Sequence, residues 1–258
     1  MDGRFADKVV LVTAGAGGIG EATCRAFSAE GAKVVISDVD TARGLALAES
    51  LSEGGAQARF LVADCTDESQ VETLVASTMA AYGRLDIAVN LVGHAVADAP
   101  GPQLHQQNVE GWDGTLAVSL RSTFLCIKHE INAMLGSGGG SIVNAASLAG
   151  SLYVPDGGAA YAASKAGVIQ LTKFAALTYA ARGIRVNCIS PGVTPTAAFY
   201  KAGPEIAEQM ISRMLEGHAI RRPIKTSEQA SAILWLNSDE AQMVTGHVLP
   251  VDGGWSAR

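Results

Sequence analysis

Short runs of apolar, mostly β-branched residues alternate with alanine-rich stretches of helical length along almost the whole chain, and this alternation constrains the fold more than any other feature. Runs that are apolar throughout suit strands buried on both sides, as in a parallel sheet covered by helices on each face. Alternating strands and helices are typical of α/β proteins. The sequence therefore predicts a doubly wound α/β fold.

Seven of these runs are compact enough for strands and too short for helices. In chain order the predicted strands are Lys8 to Thr13, Lys33 to Ser37, Ala58 to Val62, Leu85 to Val89, Ser141 to Ala145, Ile184 to Ile189 and His247 to Pro250. The stretch from Tyr161 to Arg182 predicts a long helix. No repeat or Ser/Pro-rich linker interrupts the 258 residues, so we expect one domain spanning residues 1–258.

The charge balance indicates which kinds of partner to expect. Charged residues make up 17% of the chain, the net charge is -6, and no Lys/Arg-rich run is present, which argues against nucleic acid or an anionic membrane as partner. Apolar residues make up 48%, which indicates that much surface is buried, either in a parallel sheet or between subunits. The sequence predicts an oligomer that acts on a small molecule.

The four cysteines, Cys24, Cys65, Cys126 and Cys188, are widely scattered. They form no CxxC pair and have no histidine at metal-ligand spacing, so we expect buried free thiols, no metal site and a reducing cytoplasm. Met1 to Asp7 contains no apolar leader segment, and no apolar run reaches the roughly 20 residues of a membrane helix.

A glycine-rich loop from Thr13 to Gly20 follows the first strand and opens a helix. In that position glycines let the backbone approach a pyrophosphate, and the helix start directs free N–H groups and a positive dipole end at it. The residues that we expect to contact the cofactor here are Gly15, Gly18, Ile19 and Gly20.

Asp38 ends the second strand, 18 residues beyond Gly20, where a carboxylate can accept hydrogen bonds from the adenosine ribose hydroxyls. The same charge would repel a 2′-phosphate, and no Arg or Lys directly follows Asp38 to neutralise one. NAD is therefore predicted rather than NADP. Asp64, at the end of the third strand, is a predicted adenine contact, with Cys65 supplying neighbouring backbone.

Tyr161 and Lys165 lie four residues apart, which places a phenol and an ammonium on one face of the predicted helix. A fixed cation favours the phenolate, so it lowers the pKa of a tyrosine towards a value useful for proton exchange with an alcohol. By itself this spacing is common, and its meaning depends on the rest of the chain.

Taken together, these features resemble the short-chain dehydrogenase/reductase family over residues Lys8 to Trp255. The matching pieces are the glycine loop, Asp38, Asp64, Asn90 to Gly93, Ser147, Tyr161 with Lys165, Pro191 with Gly192, Thr245 with Gly246, and Val251 to Gly254. The resemblance implies a Rossmann-type sheet of seven parallel strands in the order 3-2-1-4-5-6-7. It also implies hydride transfer between a nicotinamide cofactor and an alcohol or ketone carbon.

The resemblance also implies individual roles. Tyr161 would exchange the proton, Ser147 would hydrogen-bond the substrate oxygen, and Lys165 would hold the nicotinamide ribose and lower the tyrosine pKa. Hydroxyls at these positions suit the negative charge that develops on the oxygen during ketone reduction. The further cofactor contacts implied by the resemblance are Asn90, Gly93, Pro191, Gly192, Thr194 and Thr196.

Three positions depart from the family pattern. The loop usually begins Thr-Gly, and here the second residue is Ala14, whose methyl group is expected to narrow the turn. Leu91 and Val92 replace an asparagine and an alanine between Asn90 and Gly93. Ser119 replaces an asparagine often counted as a fourth catalytic residue, so it is either a substitute in a proton relay or a small helix residue.

The segment from about 197 to 222 corresponds to the family's variable substrate lid. Its apolar residues have helix-like spacing, so it either covers a hydrophobic pocket or simply packs on the body. These residues are Phe199, Tyr200, Ile206, Met210, Ile211, Met214 and Leu215. His94 and Tyr153 are further candidates to reach the pocket. An apolar lid favours a neutral secondary alcohol or its ketone, cyclic ones included.

Two other functions fit the same fold. A 3-oxoacyl-carrier-protein reductase usually prefers NADPH, against which Asp38 argues, and a non-catalytic nucleotide-binding scaffold has no need of Ser147, Tyr161 and Lys165. The family's habit of pairing long helices across two-fold axes predicts a homotetramer, with Thr172 to Ala181 and the tail to Trp255 as contacts.

Overall fold

The computed structural model describes residues 3–96, 103–154, 158–197 and 199–258. Within them, seven parallel strands form one sheet in the order β3-β2-β1-β4-β5-β6-β7, which confirms the predicted topology. The strands are β1 (Val9–Thr13), β2 (Lys33–Asp38), β3 (Ala58–Val62), β4 (Ile87–Asn90), β5 (Gly140–Ala145), β6 (Ile184–Pro191) and β7 (Val248–Val251). All seven predicted strands exist.

The largest boundary errors are two residues: β6 ends at Pro191 rather than at Ile189, and β4 begins at Ile87 rather than at Leu85. Leu85 and Asp86, the two residues before β4, are buried. The Asp86 carboxylate accepts a hydrogen bond at 2.9 Å from the N–H of Val9, the first residue of β1. Arg84 holds the same carboxylate through its Nε at 2.9 Å. Because these residues are buried like those of a strand, the sequence pattern included them in the predicted strand, although they lie just before β4.

Helices connect the strands and cover both faces of the sheet. They are α1 (Gly18–Ala29), α2 (Thr41–Glu53), α3 (Glu68–Tyr82), α4 (Val109–Leu116), α5 (Ser122–Ser137), α6 (Ala159–Tyr179), α7 (Pro204–Leu215) and α8 (Thr226–Asn237). The predicted long helix corresponds to α6, whose last turn, to Arg182, tightens into a 3-10 helix. Among the described residues, no helix is both long and apolar enough to span a bilayer.

Side chains of the central strands alternate between two hydrophobic cores, one on each face of the sheet. Val10 and Val12 of β1 point to the core shared with α1, α2 and α8, whereas Leu11 points to the core shared with α3, α5 and α6. Because every residue of β1 is fully buried, a charged residue anywhere in this strand would be costly. This explains the continuous apolar runs in the sequence.

One helical turn interrupts the long helical region between β4 and β5. Residues Ala117–Arg121 form a π-helical turn between α4 and α5, and Ser119 lies fully buried in its middle. Such π-turns are rare and frequently lie at functional sites.

The turn between β1 and α1 places the helix start directly above the carboxyl edge of the sheet. A Cβ atom added at Gly20 would lie 2.1 Å from the carbonyl oxygen of Ala14, so only glycine permits this close approach of helix and turn. Ala14 has φ +52°, in the left-handed region that favours glycine. The methyl group noted in the sequence is therefore accommodated at the cost of backbone strain.

We expect Ala14→Gly to raise the free energy of unfolding by about 1 kcal/mol, because the left-handed conformation strains an L-residue with a Cβ atom. Urea titration of parent and variant measures this difference. Ala16→Gly is the matched control, since Ala16 lies in the same loop, is buried and has no positive φ. The Ala16→Gly control should have a lower free energy of unfolding than the parent. An Ala14→Gly protein less stable than the parent would show that Ala14 is not strained.

Candidate functional site

Tyr161, Ser147 and Lys165 lie close together at the carboxyl edge of the sheet. Tyr161 and Lys165 lie one turn apart near the start of α6, and Ser147 follows β5. The Ser147 hydroxyl lies near the Tyr161 hydroxyl and favours its ionised form. The Lys165 Nζ lies 5.6 Å from the centre of the Tyr161 ring and donates a hydrogen bond to the Ala145 carbonyl oxygen at 2.8 Å. The structure thus brings a phenol, a second hydroxyl and a buried ammonium together.

Burial sets the protonation of this group. It raises the pKa of Tyr161, and the nearby Ser147 hydroxyl opposes this effect. It also lowers the pKa of Lys165 to about 8. The expected lowering of the tyrosine pKa is therefore not found in the protein by itself, because desolvation of the phenolate outweighs the favourable neighbours.

Ser119 lies beside the lysine. Its Oγ donates a hydrogen bond to the carbonyl oxygen of His94 at 2.9 Å. A Cβ atom added at Gly93 would lie 2.5 Å from the Lys165 Nζ and 3.4 Å from the Ser119 Oγ, so Gly93, Lys165 and Ser119 share one corner of the site. The hydroxyl of Ser119 therefore holds the loop after β4 close to the lysine.

The glycine loop and Asp38 form a site that suits a dinucleotide. The first N–H groups of α1, from Gly18 to Gly20, have no partners within the helix and lie at its positive end. The Asp38 carboxylate is fixed by the N–H groups of Ala16 and Asp40, at 3.0 Å each. A carboxylate has about four acceptor positions, so Asp38 retains the capacity to bind two hydroxyls.

The surroundings of Asp38 offer little to a phosphate. Arg43, on α2, is the first cation after it in the sequence, and its guanidinium lies 3.9 Å from the carboxylate of Glu21 on α1. The site therefore presents a fixed negative charge where an adenosine ribose would lie.

Asp64 and Cys65 follow β3 after a short gap rather than ending it. The Asp64 Oδ1 accepts hydrogen bonds from the N–H and the hydroxyl of Thr66, at 2.9 and 2.8 Å, so this carboxylate also shapes its own loop. Cys65 is buried and packs in one cluster with Cys126 of α5. All four cysteines are free and buried, which confirms that prediction.

The segment after β6 reaches the glycine loop from the other side. A Cβ atom added at Gly18 would lie 2.7 Å from the Thr196 Cγ2, so these two predicted cofactor contacts are neighbours. Thr194 is buried, and its Oγ1 donates to the Gly192 carbonyl oxygen at 3.2 Å and accepts from Gln229 Nε2 at 3.0 Å. The Thr194 hydroxyl therefore stabilises the segment itself.

An apolar cluster lies beside the tyrosine. Leu148, Ala149 and Val154 form its buried part, and Leu152, Tyr161, Ala162, Met214 and Trp255 pack against it. Met214 comes from the lid helix α7 and Trp255 from the C-terminal segment. The lid thus contributes at least one side chain near the reacting phenol, although another lid residue, Ile206, is 51% exposed.

Part of the candidate pocket is exposed or outside the described residues. Tyr153 is 82% exposed, and His94 is exposed as well. Of the predicted lid, Ala198 lies outside the described residues, as do the side chains of Lys201 and Ala202. Within the described part, no group of three or more His, Cys, Asp or Glu side chains is placed to hold a metal.

A buried polar network underneath the site was missed by the sequence analysis. Asn90 Nδ2 donates to Glu130 Oε2 at 2.9 Å and to Asn144 Oδ1 at 3.1 Å, and Asn144 Nδ2 donates to Thr172 Oγ1 at 3.0 Å. These side chains come from β4, α5, β5 and α6. The network ties together the elements that carry Gly93, Ser147 and Lys165.

Glu130 is the unusual member of this network. It is fully buried, its Oε1 has no hydrogen-bond partner among the described residues, and burial raises its pKa to about 7. A signal was present in the sequence, because a glutamate in the otherwise apolar face of a predicted helix needs a partner. The partner itself, Asn90, is 40 residues away.

Comparison with known families matches nearly the whole chain. The sequence profile of the family described as enoyl-(acyl carrier protein) reductase matches residues 14–256. The match begins at the glycine loop and ends in the C-terminal segment that packs near Tyr161.

Curated relatives and a solved structure match over full length. The chain is 39% identical to cis-4-hydroxycyclohexanecarboxylate dehydrogenase from Sinomonas cyclohexanicum, covering 100% of both chains. It is 38% identical to 2,5-dichloro-2,5-cyclohexadiene-1,4-diol dehydrogenase from Sphingobium indicum, covering 99% of both. The crystal structure of levodione reductase superposes with a TM-score of 0.91 at 33% identity, covering 98% of this chain and 99% of that one.

The raised pKa of Glu130 predicts how stability depends on pH. The folded state keeps its proton up to about pH 7, whereas the unfolded glutamate loses it near 4.5, so the free energy of unfolding falls as pH rises through this window. Glu130→Gln replaces the neutral carboxylic acid with an amide and removes this titration. We expect the free energy of unfolding of the variant, relative to that of the parent, to increase by about 2 kcal/mol as pH rises from about 5 to about 8.

Urea titrations at both pH values measure this gain, and the matched control is Glu49→Gln, at an exposed position of α2. The control should follow the parent at both values. A Glu130→Gln protein whose stability also parallels the parent would mean that the carboxyl titrates normally.

Proposed function

We infer that this chain, which belongs to the short-chain dehydrogenase/reductase family, is an NAD-dependent oxidoreductase that interconverts a hydrophobic, cyclic secondary alcohol and its ketone. Family membership makes it an oxidoreductase acting on alcohols with a nicotinamide cofactor. The single observation that carries the proposal is the placement of the Tyr161 phenol beside the Ser147 hydroxyl and the buried Lys165 ammonium.

The reacting groups support a simple division of labour. NAD, when bound, supplies the carbon that accepts the hydride. Tyr161 takes the hydroxyl proton of the alcohol, and in the reverse direction it donates that proton to the ketone oxygen. The Ser147 hydroxyl donates a hydrogen bond to the same oxygen, where negative charge develops. Lys165 favours the phenolate when it is charged and binds the nicotinamide ribose.

Ser119 is proposed as a link between the lysine and solvent. Its hydroxyl donates to the His94 carbonyl oxygen, which leaves its lone pairs able to accept from a water or from the Lys165 ammonium. To return a proton to Tyr161, the Ser119 hydroxyl would turn from the His94 carbonyl oxygen and donate its proton to the neutral Lys165 amine while it takes one from a water, and Lys165 would then protonate the tyrosine. The alternative, in which Ser119 only anchors the loop after β4, uses the same hydrogen bond.

The proposed cofactor contacts follow the loops that surround this group. Asp38 selects NAD by accepting from the ribose hydroxyls, and the N-terminus of α1 binds the pyrophosphate. The other proposed contacts are Gly15, Gly18, Ile19, Gly20, Asp64, Cys65, Asn90, Gly93, Pro191, Gly192, Thr194 and Thr196.

The substrate proposal rests on the apolar cluster at Tyr161 and on the relatives. Met214 and Trp255 offer hydrophobic side chains beside the reacting hydroxyl. Two relatives at 38 to 39% identity are named for six-membered carbocyclic alcohols. A cyclohexanol-like ring fits both observations.

We also propose a homotetramer in the cytoplasm. Phe174 and Leu177 of α6 are 66% and 84% exposed, within the stretch expected to pair across a two-fold axis. The four free thiols suit a reducing compartment.

The test of the proposed chemistry is Tyr161→Phe, assayed with NAD and a series of cyclic and open-chain secondary alcohols of equal carbon number. The parent should oxidise the cyclic alcohols faster. The variant should lose about 10²- to 10⁴-fold in kcat, because the proton acceptor is gone, while binding of NADH measured by fluorescence persists. Tyr82→Phe, at the end of α3 and outside the proposed site and subunit contacts, is the control and should retain full activity. A loss of less than about tenfold in Tyr161→Phe would remove the tyrosine from its proposed role.

The cofactor proposal is tested at Asp38. The parent should use NAD with a catalytic efficiency at least about tenfold above that for NADP, because a carboxylate beside a 2′-phosphate is repulsive. Asp38→Ala should lower the ratio of the catalytic efficiency with NAD to that with NADP. Asp40→Ala is the matched control: it removes a neighbouring carboxylate that caps α2, and the ratio should not change. Equal efficiencies for the two cofactors in the parent would exclude NAD selection by Asp38.

A further inference from the structure

His218 is fully buried where three segments of the chain meet. Its Nε2 accepts a hydrogen bond from the N–H of Val193, in the segment after β6, at 3.2 Å. Its ring packs edge-on against Trp255 of the C-terminal segment, with ring centres 5.8 Å apart. His218 itself follows α7 and so belongs to the end of the lid. One imidazole therefore contacts the lid, the segment after β6 and the tail.

The backbone around this histidine is built for a close fit. The N–H groups of Ala219 and Ile220 both donate to the Gly253 carbonyl oxygen, at 2.8 and 2.9 Å. A Cβ atom added at Gly253 would lie 2.7 Å from the His218 Nδ1, and one at Gly192 would lie 3.0 Å from its Nε2. Two glycines therefore make room for the ring, one from each neighbouring segment.

The hydrogen bond from Val193 fixes the protonation of the ring. An acceptor Nε2 carries no hydrogen, so the imidazole is neutral with its proton on Nδ1. Burial accordingly lowers the pKa of His218 below its ordinary value.

The charged groups near the ring come from two elements. In the C-terminal segment, Asp252 favours the imidazolium, but its two oxygens already accept the N–H groups of Gly254 and Ser256, and Arg258 donates to the His218 carbonyl oxygen at 3.4 Å. At the lid exit, the guanidinium of Arg222 is paired with Glu228. The segment after β6 presents only uncharged groups from Gly192 to Thr194. None of these groups replaces the acceptor that Val193 needs.

We propose that His218 is a positioning residue for the oxidoreductase reaction, whose neutral imidazole holds the Gly192 to Thr194 segment in register with the lid and the C-terminal segment. The proposal rests on the proposed contact of Gly192 and Thr194 with the nicotinamide end of the cofactor. In this proposal His218 contacts neither cofactor nor substrate. It positions the segments that lie on both sides of the pocket.

Protonation or loss of the imidazole has a defined consequence. An imidazolium places an N–H on Nε2 against the Val193 N–H, and two donors cannot bond. The segment keeps two other contacts, from the Ile224 N–H to the Val193 carbonyl oxygen at 2.9 Å and from Gln229 to Thr194. It therefore loosens without unfolding, which weakens cofactor binding more than it slows the chemical step.

The experiment compares parent, His218→Gln and His218→Phe. Glutamine offers a neutral acceptor oxygen at the end of a side chain of similar length, whereas phenylalanine fills the space without an acceptor. His247→Gln, at an exposed histidine of the same chain, is the control. Each protein is assayed for NADH dissociation constant by fluorescence, and for KM of NAD and kcat, between about pH 5.5 and about pH 8.

We expect the NADH dissociation constant of the parent and of His247→Gln to rise about three- to tenfold as pH falls, the range for losing one hydrogen bond. His218→Gln should bind as the parent does at the upper pH and show no such rise. His218→Phe should bind about three- to tenfold more weakly at every pH, with kcat nearly unchanged. If it does not fold, parent and glutamine variant suffice for the comparison.

A His218→Gln protein that shows the parent's acid-side rise, or that binds NADH as weakly as His218→Phe at the upper pH, would overturn the proposal. So would a phenylalanine variant that is less stable to heat but binds NADH normally, since the role would then be structural only. A parent that binds no NADH and oxidises no alcohol would instead refute the proposed function, and the two failures are thus distinguished.

Discussion

The side-chain amide of Asn90 is the contact on which the arrangement of the site depends. It lies at the carboxyl end of β4, and it donates both to the carboxyl group of Glu130 and to the amide of Asn144 at the end of β5. In a parallel sheet the loops that carry function leave from these strand ends, so fixing them fixes the loops. Gly93, Ser147 and the Ala145 carbonyl that holds Lys165 all follow within three residues of Asn90 or Asn144.

This arrangement costs free energy of folding because it buries polar groups. Glu130, Lys165 and His218 are each nearly or fully buried, and in each case burial shifts the pKa towards the neutral form. Each also makes a specific hydrogen bond that a solvent-exposed group would not hold so firmly. The strain at Ala14 adds to the same cost, since it lies in the turn that leads into α1 at the proposed cofactor site. The two hydrophobic cores, one on each face of the sheet, supply the stability that offsets these groups.

Much of the fold was predictable because its signals are local. Each strand is a short apolar run, and in chain order these runs gave all seven strands. The errors occurred where local signals mislead: Leu85 and Asp86 are buried before β4, and Asp64 lies beyond the end of β3. The order of the strands in the sheet came from the resemblance, because the sequence of a strand does not indicate which strands it pairs with.

The candidate site divides in the same way. Asp38, Tyr161, Lys165 and the glycine loop could be proposed from the sequence because their spacing along one element, or their place after a strand, already indicates the chemistry. Ser119 was identified as a departure, but its hydrogen bond to the His94 carbonyl oxygen was not foreseeable. Gln229 and His218 lie more than 20 residues from the segment they hold, and nothing near them in the sequence indicates it.

The sequence by itself therefore determined the fold class, the seven strands and the residues whose neighbours along the chain define their role. Hydrophobic periodicity and turn chemistry act over a few residues, so one sequence is enough to reveal them. Only the tertiary structure decided that Asn90 bonds Glu130, that burial raises the pKa of Tyr161, and that His218 joins the lid to the segment after β6. These depend on distances between residues far apart in the chain and on the exclusion of water, which are set when the sheet and its helices pack together.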